Sequence, residues 1–115
     1  MTLTEKAVRL KIFTGEENRL KHRPLYEVIV EEARKQGLAG ASVYRGVMGY
    51  GANSQVRTTS ILRLSEDLPL IIEIIDKAEK IESFKAFLNE SMTEGLVTSE
   101  EVNIEIHKHN EGAKQ

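Results

Sequence analysis

Apolar residues in this chain switch between two periods, and the order of the switches restricts the fold more than any other feature. Val8, Leu10 and Ile12 alternate with Arg9, Lys11 and Phe13, which predicts a half-buried strand. Leu25, Val28, Ile29, Glu32 and Ala33 then fall at helical spacing. Pro24 fits the first turn of that helix, where a missing N–H is harmless, and Gly37 fits a left-handed stop. Ala41 to Met48 reads as a second strand, and the isoleucine-rich run from Leu70 to Ile75 as a central one. Asp76 with Glu79 three residues later has the form of a capping box for a second helix. That helix carries Ala78, Ile81, Phe84, Leu88 and Met92, and Gly95 is expected to close it. Val102, Ile104 and Ile106 alternate with Asn103, Glu105 and His107 as a last strand. Between these elements, Val56 to Leu64 suits either an extension of a long hairpin or a mobile loop. Glu66 to Pro69 is a turn signal.

Strand, helix, strand, strand, helix, strand is the βαββαβ order of the ferredoxin-like, α+β class. Two helices are expected on one face of an antiparallel sheet, with a long loop between strands 2 and 3. The opposite sheet face carries apolar candidates, so it calls for a partner, and self-association is expected. The 115 residues are expected to form one domain, with a polar, frayed tail over 110–115.

Composition removes several functions. Lys plus Arg number 16 against 18 Asp plus Glu, a net charge of −2 that gives no footprint for duplex nucleic acid. Aromatic residues are 5% and tryptophan is absent, which argues against a base-stacking RNA module of this topology. With no cysteine, disulfides, thiolate catalysis and cysteine-ligated metals are excluded. The first residues hold no apolar leader, and Glu73 interrupts the longest apolar run, so a cytoplasmic protein is expected.

Three of the eight glycines lie in Arg45-Gly46-Val47-Met48-Gly49-Tyr50-Gly51, at the exit of the second strand. Such a cluster implies left-handed backbone or close approach to another group. It either turns a wide hairpin or lets backbone N–H groups face an anion. The G-x-x-G-x-G order is not the dinucleotide fingerprint, which must open a helix. Glu73 is a lone carboxylate in an apolar strand and should meet solvent, a neighbouring subunit or a hydrogen-bonding ligand. His107 and His109 share a face if the last strand runs through them, where a pair could hold a metal. No third ligand stands out, and a solvated strand end explains them as well. His22, between Lys21 and Arg23, fits a surface position better than a general base.

Taken together, His22-Arg23-Pro24-Leu25-Tyr26, Gly37 to Gly46, Gly49-Tyr50-Gly51, Leu68 to Glu73 and Gly95-Leu96-Val97-Thr98 make the chain resemble the PII-like signalling proteins. The resemblance implies a trimer of ferredoxin-like subunits with adenine nucleotide, ADP or ATP, in clefts between them. It implies no catalysis and no required cofactor. It also implies a loop, here about Ala52 to Leu64, that touches a target protein such as a transporter, channel or enzyme. By the same resemblance, Gly46, Gly49, Tyr50 and Gly51 form one wall of the cleft, and Gly95, Leu96 and Val97 the other. Ser42 and Glu73 adjoin them.

The chain departs from PII at one motif. The phosphate loop of form T-G-x-x-G-D-G-K is replaced by Met92 to Thr98, which has no lysine. Phosphate would then rely on backbone N–H groups and on Arg45 or Arg57. The run from Ala52 to Ser60 has no tyrosine, so uridylylation of a loop tyrosine is not expected. Two other function classes stay open from the residues alone: a metabolite- or ion-sensing module without nucleotide, and a metal-assisted enzyme using His107 and His109.

Overall fold

The computed structural model describes residues 4–50, 57–58 and 68–108. In chain order the strands and helices are β1 (Glu5–Gly15), β2 (Arg19–Leu20), β3 (Arg23–Pro24), α1 (Leu25–Lys35), β4 (Ala41–Arg45), β5 (Met48–Gly49), β6 (Arg57–Thr58), β7 (Pro69–Asp76), α2 (Ala78–Ser91) and β8 (Leu96–Ile104). β4, β7, β1 and β8 form one sheet in that order, with every neighbouring pair antiparallel. Two short hairpins, β2–β3 and β5–β6, stand outside it. This is the ferredoxin-like architecture that the periodicity predicts.

The core lies between the sheet and the helices. Leu10, Ile12, Ile72 and Ile74 are buried from the sheet side, and Leu25, Ile29, Ala33, Ile81, Phe84 and Leu88 from the helices. The helix residues recur every three or four positions, so each helix buries one stripe. Gly37, at φ +81°, ends α1 as predicted. The Leu38 N–H donates to Ala33 O at 3.0 Å and the Gly37 N–H to Arg34 O at 3.1 Å, the paired bonds of a Schellman motif. Leu38 and Ala33, which the first of these bonds joins, are both buried in the core cluster.

Several boundaries differ from the sequence reading, each for a local reason. Pro24 is the residue before α1, not in its first turn, because it pairs with Arg19 in the β2–β3 hairpin. β4 stops at Arg45, short of Met48; the chain leaves the sheet at Gly46, and Met48–Gly49 pair separately with Arg57–Thr58. Asp76 does not cap α2. It still pairs with Val8 in the sheet, and the cap position falls to Lys77 with no side-chain cap bond. Gly95 does not close α2, which ends at Ser91; it turns the chain into β8. β8 starts at Leu96 and ends at Ile104, so Ile106 and His107 lie beyond it. Of the ambiguous run Val56 to Leu64, β6 supplies a short strand at Arg57–Thr58, and the remainder is outside the described residues.

The face away from the helices follows from the register. Ser42, Glu73, Lys11 and Thr98 form one row across all four strands, and Tyr44, Ile71, Phe13 and Leu96 form the next. Arg9 lies on the same face, donating from Nε to Glu100 at 3.0 Å. This open face is therefore charged at its middle and apolar at the end nearest Gly46.

Candidate functional site

The first group of candidate residues stands where β4 leaves the sheet. Gly46 donates its N–H to Pro69 O at 2.7 Å. A Cβ built on Gly46 would meet Pro69 Cγ at 2.8 Å, and one on Gly49 would lie 3.3 Å from the same atom. Of the two roles open to the glycines, close approach applies here: neither Gly46 nor Gly49 has positive φ. Gly51 lies outside the described residues. The backbone is pressed against Pro69, and the large side chains between the glycines turn outward. Val47 is 69%, Met48 64% and Tyr50 70% exposed. Arg45 forms an ion pair with Glu16, at the end of β1. Glu16 in turn donates its N–H to Leu68 O at 2.8 Å, so Arg45, Glu16 and the Leu68–Pro69 segment form one unit.

The second group, Gly95, Leu96 and Val97, opens β8. Gly95 has φ +123°, and a Cβ there would lie 2.7 Å from Phe13 O, so two constraints demand glycine at this position. Leu96 is 57% exposed. Val97 borders a groove of about 480 Å³ between α2 and β8, lined also by Leu10, Leu88, Asn89, Met92 and Ser99. The groove exists because α2 rests over β1 and β7 and, among the described residues, leaves the helix side of β8 exposed.

Sheet order sets the relation between the groups. The row Tyr44–Ile71–Phe13–Leu96 places both at the same end of the sheet but on opposite edge strands. Three interstrand spacings, roughly 14 Å, separate them. A ligand touching both must span one sheet, or the two walls must come from two copies of the chain. Ser42 and Glu73 are cross-strand partners at mid-strand, and Glu73 lies 3.9 Å from the Arg9 guanidinium. The lone carboxylate thus has a cation beside it and sits away from the Gly46 end. His107 follows the end of β8 and is not on a strand face, and His109 lies outside the described residues. His22 is exposed in the β2–β3 turn. Sequence reasoning missed Glu16 and Pro69; nothing local marks either, because the contacts join segments far apart in the chain.

With this geometry in place, comparison with known proteins assigns the family. Residues 7–104 match the DUF190 family, described as an uncharacterized ACR. The chain belongs to the DUF190 family. A relative from Aquifex aeolicus (strain VF5), a UPF0166 protein, is 39% identical over 97 residues, covering 83% of this chain and 90% of that one. Among solved structures, the fold is similar to CPII from Thiomonas intermedia K12, a nitrogen regulatory PII-like protein bound to ADP, AMP and bicarbonate. The TM-score is 0.63 at 14% identity, covering 92% of this chain and 94% of CPII. A putative PII-like signaling protein from Thermus thermophilus gives a TM-score of 0.59 at 17% identity, covering 90% and 91%. This DUF190 chain therefore has the PII-like fold that its sequence resemblance implies.

Proposed function

We propose that this DUF190 protein is a non-enzymatic, PII-like regulator that binds an adenine nucleotide, ADP or ATP, between copies of itself. The observation that carries the reading is the placement of the exposed large apolar residues. Among the described residues they are Val43, Tyr44, Val47, Met48 and Tyr50 along one edge, Leu96 and Val97 along the other, and Ile106. Two different apolar edges on one subunit suit a head-to-tail contact, which closes into a ring when the rotation allows. Three copies would bring the Gly46–Tyr50 wall of one against the Gly95–Val97 wall of the next. The binding of ADP and AMP by CPII, which shares the fold, supports the choice of ligand. Arg45 or Arg57 would meet the phosphate, and backbone N–H groups would supply the rest. Occupancy would be passed to a target protein, a transporter, channel or enzyme, through the segment Ala52 to Leu64. That requires the ligand to favour one of two states of the segment.

Isothermal titration of the purified protein with ADP, ATP, AMP and cyclic AMP, with and without magnesium, tests the reading. Saturable binding near one nucleotide per subunit is expected. Absence of heat with every nucleotide, from protein shown to be folded, would replace it with the metabolite-sensing alternative.

A further inference from the structure

The α2–β8 groove has a shape and position that fit one segment of this chain. We propose that the groove receives the Val47–Tyr50 segment of a second copy, so that each subunit inserts Val47 and Met48 between its neighbour's α2 and β8. The proposal rests on the ring assembly proposed above but not on its nucleotide.

Three observations support it. The groove has an apolar floor, where Met92 and Val97 lie over buried Leu10 and Leu88, and a polar rim that includes Lys85, Asn89, Glu94 and Ser99. The only run of consecutive large apolar side chains left exposed in that way among the described residues, apart from the strand pairs Val43–Tyr44 and Leu96–Val97, is Val47–Met48, followed after Gly49 by Tyr50. Gly46 and Gly49 bring their backbone close against Pro69 and the β5–β6 pairing carries it on, and among the described residues Val47 and Met48 enter no core.

Position agrees with composition. The groove runs from Gly95, just before β8, to Ser99, and Val47 to Tyr50 follow β4, both at the Tyr44–Leu96 end of the sheet. A rotation axis running along the strands keeps that end of every copy at one level. The β4 side of one copy then faces the β8 side of the next at the height of the groove. β8 is moreover a nine-residue edge strand whose charges, Glu100 and Glu101, lie beyond the groove, and the stretch Leu96 to Ser99 carries none of the charges or prolines that protect an edge.

The chain has no cysteine, so engineered thiols report without background. Met48→Cys and Asn89→Cys would be made singly, mixed after co-refolding, and treated with a short bismaleimide. A mixed link between a chain carrying Met48→Cys and one carrying Asn89→Cys is expected. Link formation only between two chains that both carry Met48→Cys, or none at all, would overturn the proposal. A groove filled by a small molecule or by the chain's own C-terminal residues would leave the two thiols unlinked and count the same way. As a second measurement, the double variant Val47→Glu/Met48→Glu should weaken self-association by about 100-fold or more, the loss expected from two apolar side chains. Both side chains are exposed in the lone subunit, so its circular dichroism should be unchanged. Unaltered association would sink the inference even if nucleotide binds, and loss of nucleotide binding alone would leave it standing.

Discussion

The Asp76 carboxylate accepts a hydrogen bond from the Ala39 N–H at 2.9 Å, joining the end of β7 to the connection after α1. Its other oxygen accepts the Lys77 N–H at 2.6 Å. Asp76 is buried, and a buried carboxylate holding two amides is costly to remove, because both donors are left without a partner. Asp76→Ala should lose about 2 kcal/mol of stability in urea unfolding. Glu79→Ala should change it by less than about 0.5 kcal/mol, since no capping box forms.

Asp76 also shows where sequence reading ends. A carboxylate three residues before a glutamate has the spacing of a helix start, and no one-dimensional pattern reveals that Ala39 is waiting across the fold. The periodic elements were legible because burial repeats with the geometry of the element: Leu25, Ile29 and Ala33 in α1, Ile81, Phe84 and Leu88 in α2. The β2–β3 hairpin was not, since two-residue strands carry no period. At the candidate site the two glycine segments could be named from sequence, but their separation across the sheet depends on strand order. The Arg45–Glu16 pair depends on a tertiary contact with no local signal.

Gly95 and Gly40 make a controlled comparison. Gly95→Ala forces a side chain into positive φ and within 2.7 Å of Phe13 O. The substitution should destabilise the fold by about 3 kcal/mol. A Cβ on Gly40 meets nothing within 4 Å and the backbone there is not left-handed. Gly40→Ala should be neutral or stabilising by up to about 1 kcal/mol, through the unfolded chain. Equal losses in paired thermal melts would contradict the geometry.

Lys21 and His22 hold φ of 50° and 74° in the two-residue turn between β2 and β3. A turn with positive φ at both positions favours Asn-Gly, and each L side chain there is strained. Arg19 donates to His22 O, a backbone contact that survives substitution of the side chain. The double change Lys21→Asn/His22→Gly should therefore stabilise the protein by about 1 kcal/mol, raising its melting temperature by several degrees. A lower melting temperature would show that the Lys21 and His22 side chains make contacts worth more than the strain.

Arg23 reaches from β3 to the α1 carboxylates, donating to both Glu31 oxygens at 2.8 and 2.7 Å. That pairing lowers the Glu31 pKa below its ordinary 4.5, chiefly through the hydrogen bond from Arg23. A carboxyl with a lower pKa folded than unfolded stabilises the fold above the unfolded value and loses that effect as pH falls through the folded one. The difference in urea midpoint between the natural chain and Glu31→Gln should be present at pH 7, shrink below about pH 4.5 and vanish in stronger acid. Because both side chains are exposed, 1 M salt should also diminish it. A gap that persists in acid would assign the effect to something other than the charge.

The ion pair between Arg45 and Glu16 bears most directly on the proposed nucleotide site. In the free subunit Glu16 occupies the guanidinium that phosphate would need, and Glu16 is itself the less exposed partner, at 24% against 59%. An incoming phosphate must displace or share this carboxylate, so Glu16 opposes binding while Arg45 promotes it. Glu16→Gln removes the competing charge and keeps an acceptor; it should tighten ADP binding by about 3- to 10-fold, the scale of one partly screened charge contact. Arg45→Gln should weaken it by about 10-fold or more, and the double variant should resemble Arg45→Gln, because without the guanidinium Glu16 has nothing to withhold. Inorganic pyrophosphate as competitor separates the phosphate contact from the base contact: its potency should follow the same order across the variants. If Glu16→Gln and Arg45→Gln both leave ADP affinity unchanged while the natural chain binds ADP, the phosphate lies elsewhere, and Arg45 serves only to tie the end of β4 to the turn after β1.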